Sequence, residues 1–221
     1  GATSFSHWKT FLSVAGEDYH VPPELSRAAE YLTARKIDIA ESRYEFYTSD
    51  STEHSMHQRV IVPFYWKGEL IGSTARAFED GIKPKYYADY EPNFVFNMDR
   101  QTPEKKFVIV VEGPFDAMAV DGVAVLSNEC SEIQADIIDS LGREVIVVPD
   151  ADKAGAKLVD QAIEFGWSVS FPIWQREGAK LCKDVAEAVD MYGKLYVLKS
   201  ILSGKETSKL KIELRKKKLY N

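Results

Sequence analysis

The stretch Phe107–Val108–Ile109–Val110–Val111–Glu112–Gly113–Pro114–Phe115–Asp116 decides the fold. Its first residues are apolar without interruption, a pattern typical of a strand that is covered on both faces of a parallel sheet. Glu112 comes at the end of this strand, where open α/β sheets bind their ligands. The sequence therefore predicts a buried strand that brings a carboxylate to a functional edge.

A second stretch of the same kind lies downstream. The apolar run Val145–Val148 leads into Asp150 and Asp152, and a turn at 152–155 follows. Because parallel strands end at the same edge of a sheet, we expect these two acids to converge with Glu112 and Asp116. Each motif alone is common, since an acid at a strand end is often only a helix cap. Their pairing in this order is what points to a site.

Composition limits the classes of protein to consider. The chain has 221 residues, of which 45% are hydrophobic, enough for one large domain or two small ones. No apolar run approaches the ~20 residues of a membrane helix, so a soluble, cytoplasmic protein without a membrane partner is expected. Cys130 and Cys182 lack the paired spacing of a zinc site, which predicts reduced thiols and no zinc. A net charge of −6 leaves room only for a local basic groove.

The first half of the chain predicts a mixed α and β arrangement. Residues 1–50 have a helical pattern, which is clearest from Pro22 to Ile37. Two strands, Arg59–Trp66 and Glu69–Phe78, flank the tight turn Lys67–Gly68 and predict an antiparallel hairpin. Arg76 lies in the second strand of this hairpin, and Lys83 and Lys85 come after it. On their own, these three cations are typical of solvated surface.

The second half alternates strands and helices. We expect strands at 107–111, 123–126, 145–148 and 168–174, and helices at 115–120, 131–141, 154–165 and from Asp184 onward. Short connections between such units predict a parallel, doubly wound sheet. Residues 195–202 predict a helix, a break follows at Ser203–Gly204, and 209–214 favour a helix over a strand. The basic run Arg215–Lys218 predicts either a solvated tail or a surface that approaches DNA.

Converging carboxylates need a cation, because their mutual repulsion would otherwise force protonation. Oxygen ligands without nearby histidine or cysteine favour Mg²⁺ or Mn²⁺ over zinc. A pair of such ions can bind the entering and leaving oxygens of a phosphoryl transfer. The turn 152–155 also opens a helix whose first amides could bind a phosphate. The number of metal ions stays open.

With these motifs, the chain resembles the Toprim superfamily and, within it, the catalytic core of DnaG-type DNA primases, especially those of bacteriophages. Val111–Asp116 is similar to the family's glutamate motif, and Pro149–Gly155 to its Asp-x-Asp motif. The resemblance extends upstream and covers about residues 25–190. It includes the entry helix 31–37, the hairpin 59–64 with 71–76, and the basic segment 83–86.

The resemblance implies a fold and its boundaries. The fold is α/β, with a Toprim domain made of a Rossmann-like parallel sheet flanked by helices. We expect a mixed α+β subdomain at 1–104, the Toprim catalytic domain at 105–190, and a short, basic helical segment at 191–221.

The resemblance also implies roles for single residues. Glu112 is the candidate general base, or metal-coupled activator, of an attacking 3′-hydroxyl. Asp150 and Asp152 are the principal Mg²⁺ ligands. Asp116 and Asp184 are supporting acids of the same site. The residues expected to contact template or nucleotide are Arg76, Lys83, Lys85 and Lys153.

The implied activity is Mg²⁺-dependent synthesis of short RNA primers from ribonucleoside triphosphates on single-stranded DNA, during DNA replication. Implied partners are single-stranded DNA, the triphosphates, a replicative helicase and a zinc-binding module outside this chain. The implied location is the cytoplasm of a bacterium or a phage-infected cell.

The sequence departs from the family pattern at two places. Residues 126–130 stand where the family usually has a Gly-Thr pair, and the third acidic motif offers Asp184 and Glu187 instead of two aspartates. Two alternatives remain open: a Toprim nuclease that uses the same acids with water as the attacking group, and a DNA-binding scaffold without catalysis. A topoisomerase is disfavoured, because 221 residues leave no room for its gate domains.

Overall fold

The computed structural model describes residues 8–9, 23–37, 42–49, 56–175 and 181–221. The chain divides into two units, Gly1–Pro92 and Asn93–Asn221. The boundary predicted at 104–105 lies inside the second unit, because Phe96 pairs with Ala124 in that unit. The segment predicted as a separate piece at 191–221 also belongs to the second unit. The Ser-rich stretch 50–55, whose polar composition predicts a loop, lies outside the described residues.

The first unit contains one described helix and two small antiparallel sheets. Its elements are α1 (Pro23–Ala34), β1 (Trp8–Lys9), β2 (Thr48–Ser49), β3 (Arg59–Trp66), β4 (Glu69–Ala77) and β5 (Tyr86–Asp89). β1 pairs with β2, and the second sheet has the order β3-β4-β5. The helical prediction for residues 1–50 is therefore wrong at β1 and β2, which are too short to have a periodicity of their own.

The predicted hairpin is confirmed, since β3 and β4 pair antiparallel along their whole length. Its turn places Lys67 at φ 51° and Gly68 at φ 80°, as a two-residue hairpin turn requires. The predicted helix is confirmed as α1. Its Leu25, Ala28 and Leu32 are fully or almost fully buried, which explains the helical spacing of these apolar residues.

The second unit is built on a five-stranded sheet. Its elements are a 3₁₀ helix (Met98–Arg100), β6 (Phe107–Val111), α2 (Pro114–Val120), β7 (Val123–Ala124), α3 (Glu132–Asp139), β8 (Glu144–Val147), α4 (Gly155–Phe165), β9 (Ser168–Ser170), α5 (Val185–Tyr192), α6 (Lys194–Ser203), β10 (Lys205–Glu206) and α7 (Lys209–Tyr220). The order of the strands is β10-β9-β8-β6-β7. β6 to β9 are parallel, and β10 adds an antiparallel edge.

Both faces of this sheet are buried, as the uninterrupted apolar strands predict. Val108 and Val110 of β6 pack in one cluster with side chains of α3, α4 and α7. Ile109 and Val111 alternate with them and point to the opposite face, where they are also buried. The predicted α/β fold, a parallel sheet flanked by helices, is confirmed.

Local signals account for several boundaries. Ser131 and Gln134 form the predicted capping box at the start of α3. Asp184 caps α5, since its carboxylate accepts the Glu187 amide hydrogen. β7 and β9 are shorter than predicted, and β10 was not predicted. Among the described residues, no helix combines the length and the apolar character needed to cross a bilayer.

Candidate metal centre

The two central motifs lie at the same edge of the sheet. β6 and β8 are parallel neighbours, and Glu112 and Asp150 come just after their carboxyl ends. The backbone N–H of Asp150 donates a hydrogen bond of 3.1 Å to Oε2 of Glu112. The Glu112 carbonyl accepts the Leu126 amide hydrogen at 2.8 Å, which ties it to the end of β7 as well. The structure thus brings the first acid of each motif into direct contact.

Asp116 and Asp184 join the same edge through α5. Asp116 is buried in α2, and its Oδ1 accepts the backbone N–H of Ala186 at 2.8 Å. Oδ1 of Asp184 accepts the N–H of Glu187 at 2.9 Å at the same end of α5. Both carboxylates therefore stabilise the start of one helix, where the helix dipole favours negative charge.

Asp152 lies in the turn before α4 and is exposed. Its Oδ1 accepts the Ala154 N–H at 3.1 Å, and its carbonyl accepts the Gly155 N–H at 3.1 Å. The sequence analysis predicts that amides at this helix start donate hydrogen bonds to a phosphate. The prediction of a phosphate at the start of α4 is therefore at odds with this conformation, in which Asp152 already occupies the donors.

Burial and crowding raise the pKa of two of these acids. Desolvation, followed by the charges of Asp116, Glu112, Asp184 and Asp152, raises the pKa of Asp150 to about 9. Desolvation also raises the pKa of Glu112, while the hydrogen bond from Asp150 and the charge of Lys183 oppose that shift. The ionised forms of these carboxylates are therefore disfavoured in the protein alone, which is the situation that a bound cation relieves.

The donor set fits a hard divalent cation. The acids that interact with Asp150 are all carboxylates, and oxygen ligands suit Mg²⁺ or Mn²⁺. Within the described residues, no group of three or more His, Cys, Asp or Glu side chains is arranged so that it could hold a metal ion. Mg²⁺ is usually held by one or two carboxylates plus water and substrate phosphates, so this arrangement agrees with its chemistry.

The predicted cations fall into two groups. Lys153 is exposed in the turn between Asp152 and α4, beside the acids. Lys83 and Lys85 are exposed in the first unit, and both lie just before β5. These three lysines have the exposure that a contact with nucleic acid or nucleotide requires.

Arg76 differs from these lysines, because it is only 5% exposed. Its guanidinium carbon lies 5.5 Å from the ring centroid of Tyr31 and 5.4 Å from that of Tyr86. Its Nη1 donates a hydrogen bond of 2.6 Å to the Ala77 carbonyl. The prediction that Arg76 faces template or nucleotide is at odds with this burial, since a guanidinium held between two rings offers little surface to a phosphate.

The basic run near the end of the sequence belongs to α7. Arg215 donates from Nη2 to the Phe171 carbonyl at 3.1 Å, and Lys216 donates to Asp160 at 2.6 Å. A solvated tail is therefore a wrong description of these two residues. Lys217 and Lys218 are exposed.

Two residues of the site were missed by the sequence analysis. Lys183 directly precedes Asp184, and its charge lowers the pKa of Glu112, so it lies close to the acids. Its place beside the third acidic motif was a usable signal. Tyr220 donates a hydrogen bond of 2.9 Å to the Asp150 carbonyl, and no local pattern marks a contact between residues so far apart in sequence.

Comparisons with known proteins agree with this arrangement. A protein family described as Toprim-like matches residues 109–189, which contain every acid discussed above. The DNA primase of Aquifex aeolicus (strain VF5) is 25% identical over 156 residues, which are 62% of this chain and 30% of that protein. The chain thus spans less than a third of the length of that relative.

Solved structures show the same fold. A DnaG primase catalytic domain bound to ssDNA has a TM-score of 0.63 at 18% identity, over 83% of this chain and 73% of that one. The RNA polymerase domain of Mycobacterium tuberculosis DnaG has a TM-score of 0.64 at 18% identity, over 84% and 78%. Residues 109–189 of this chain are thus similar to the Toprim-like family, and the chain as a whole has the fold of a DnaG-type primase catalytic core.

Proposed function

We propose that this chain is the catalytic core of a DNA primase, which makes short RNA primers from ribonucleoside triphosphates on single-stranded DNA. The observation that carries the proposal is the convergence of the acids Glu112, Asp116, Asp150, Asp152 and Asp184 at one sheet edge. A similar fold occurs in a DnaG domain bound to ssDNA, which supports this substrate class over others. Initiation in a longer protein would involve the zinc-binding module and a replicative helicase as partners.

Asp150 and Asp152 would hold the divalent cation, and the charges of Glu112, Asp116 and Asp184 would add to the negative potential around it. When bound, Mg²⁺ or Mn²⁺ would neutralise the crowded carboxylates and polarise the phosphates of the incoming nucleotide. Asp116 and Asp184 keep the start of α5 in place through their bonds to Ala186 and Glu187.

Glu112 is the residue that we assign to the proton of the 3′-hydroxyl. Burial raises its pKa, and a carboxylate with a raised pKa is a stronger base near neutral pH than an ordinary glutamate. The amide of Asp150 holds Oε2 in a fixed direction. This geometry orients the carboxylate without neutralising it.

Exposed lysines supply the positive charge that an acidic site needs for an anionic substrate. We assign Lys153 and Lys183, beside the acids, to phosphates of the nucleotide. Lys83 and Lys85 in the first unit are assigned to the phosphates of the template. A protein with net charge −6 depends on such local cations to approach DNA.

The direct test is an incubation of the chain with single-stranded DNA, labelled ribonucleotides and either Mg²⁺ or Mn²⁺. Labelled products that grow with time support a primase. Shortened DNA without new RNA would replace it with a nuclease, and neither product would contradict both activities for the isolated chain. A parallel incubation with EDTA shows whether any product depends on metal.

The template surface is tested by Lys83→Ala and Lys85→Ala. Each lost phosphate contact should lower single-stranded DNA affinity and reduce the slope of log K against log [salt] by about 0.7. Lys67→Asn is the matched control, because Lys67 is an exposed lysine of the same sheet and asparagine tolerates its positive φ. An unchanged slope for both alanine variants would show that Lys83 and Lys85 do not contact phosphates of the template.

A further inference from the structure

The feature that the proposed function leaves unexplained is the contact between α7 and the loop that carries Asp150. α7 is anchored on the second unit along its length. Ile212 is 1% exposed within the core cluster. Arg215 bonds to the Phe171 carbonyl and to Glu206, and Lys216 bonds to Asp160 of α4. A helix held in this way has a defined end.

That end places the Tyr220 hydroxyl at the Asp150 backbone, 2.9 Å from its carbonyl oxygen. Gly155 closes the other side of this contact. A Cβ added at Gly155 would lie 2.3 Å from the Asp150 carbonyl oxygen and 2.8 Å from the Tyr220 hydroxyl oxygen. The absence of a side chain at Gly155 is therefore what lets the phenol reach the loop.

The backbone around Asp150 is held from three directions. Its N–H donates to Glu112 at the end of β6, and its carbonyl accepts the Tyr220 hydroxyl. The next amide, that of Ala151, donates to the Lys183 carbonyl at 2.9 Å. With both flanking peptide groups bonded, the direction of the Asp150 side chain is set by its surroundings. Of these three bonds, only the one from Tyr220 comes from outside the acidic motifs.

We propose that Tyr220 is a positioning residue for the metal-binding loop. Its hydroxyl fixes the Asp150 backbone, so that the Asp150 carboxylate points at the cation. This inference rests on the proposed function for its link to catalysis, but its central claim concerns metal affinity. Tyr220 touches neither metal nor substrate in this role. It acts through Asp150.

The test is Tyr220→Phe, which keeps the ring and removes only the hydroxyl. Loss of one hydrogen bond that orients a ligand should weaken Mn²⁺ binding by about fivefold to tenfold. Isothermal titration of the folded, full chain measures this affinity without reference to activity. Tyr196→Phe is the matched control, since Tyr196 is an exposed tyrosine of α6 and should leave the affinity unchanged.

A double-mutant cycle separates positioning from a general loss of stability. In an Asp150→Asn background the effect of Tyr220→Phe on residual Mn²⁺ affinity should vanish, because the residue through which it acts is already changed. An equal loss of affinity in both backgrounds, or an unchanged affinity in Tyr220→Phe, would overturn the proposal.

Activity gives a second readout that distinguishes the two proposals. If the parent chain makes RNA, Tyr220→Phe should lower kcat at saturating nucleotide and leave the nucleotide KM near its parent value. If the parent makes no RNA but the Mn²⁺ cycle gives the expected coupling, the proposed function fails while the positioning role stands.

Discussion

The two ends of strand β8 hold their acids in opposite ways. At the amino end, Glu144 accepts hydrogen bonds from Lys205 at 2.6 Å and from the Ser168 hydroxyl at 3.1 Å. At the carboxyl end, Asp150 interacts with four other carboxylates. The described residues place no lysine or arginine in an ion pair with Asp150. Glu144, at the start of β8, is thus compensated by a cation, whereas Asp150, after its end, is not.

This difference shows that the acid at one end of β8 has a structural role, whereas the acid at the other end is suited to bind a ligand. The Glu144–Lys205 pair links β8 to the edge strand β10 and needs nothing further. The group around Asp150 is costly in the protein alone, because its ionised form is both desolvated and repelled. A fold keeps such a group where a ligand compensates it, so the contrast itself points to the carboxyl end as the site.

The largest expected effect comes from removing one charge at each end. Asp150→Asn should abolish detectable primer synthesis, since it removes the proposed metal ligand, whereas Glu144→Gln should leave synthesis near the parent rate. Primer yield per enzyme measures both. Asp150→Asn should also raise the melting temperature without metal, because repulsion is relieved. Equal activity losses in the two variants would show that the two ends of β8 do not differ in their importance for synthesis.

A smaller loss is expected for Glu112→Gln, which keeps an oxygen for the Asp150 amide but removes the base. Synthesis should fall by about 10²- to 10⁴-fold, the range for a general base. Mn²⁺ affinity should fall less than in Asp150→Asn. Single-turnover rates and calorimetry separate the two effects. Near-normal synthesis would remove Glu112 from the mechanism.

The pH dependence of stability should sharpen the same contrast. The pKa of Asp150 is raised to about 9, against about 3.9 for an unfolded aspartate. The folded state therefore holds a proton that the unfolded state releases. The stability that this proton contributes is fully present below about pH 4 and is lost as pH rises toward 9.

In EDTA, the melting temperature of the parent should therefore fall across this range more steeply than that of Asp150→Asn. Saturating Mg²⁺ should flatten the parent curve, because the cation replaces the proton. Thermal melts at a series of pH values, with and without Mg²⁺, provide the comparison. Parallel curves for parent and variant in EDTA would contradict the raised pKa.

The smallest effect is expected at the compensated end. Lys205→Met removes the partner of Glu144 in an ion pair whose side chains are about a third exposed. Such pairs contribute about 0.2–1 kcal/mol to the free energy of unfolding, and high salt reduces that contribution. Urea denaturation at low and high salt measures it. A change in Mn²⁺ affinity in this variant would show that the two ends are coupled.

Much of the architecture was predictable from local patterns. The uninterrupted apolar run at β6, the capping box at Ser131 and the turn at Lys67–Gly68 each state a local preference that the tertiary structure follows. The convergence of Glu112 with Asp150 was also predictable, because parallel strands end at one edge. Strands β5 and β10 were missed, since such short segments leave no detectable alternation.

The sequence by itself determined the parallel sheet and its acidic edge, because these depend on residue order and on periodicities that act over a few neighbours. Only the tertiary structure decided which charges are compensated. Arg76 is held between Tyr31 and Tyr86, and Tyr220 reaches Asp150 across 70 residues of sequence. Desolvation and hydrogen-bond partners are properties of the packed chain, so a contact such as the one between Tyr220 and Asp150 becomes visible only after folding.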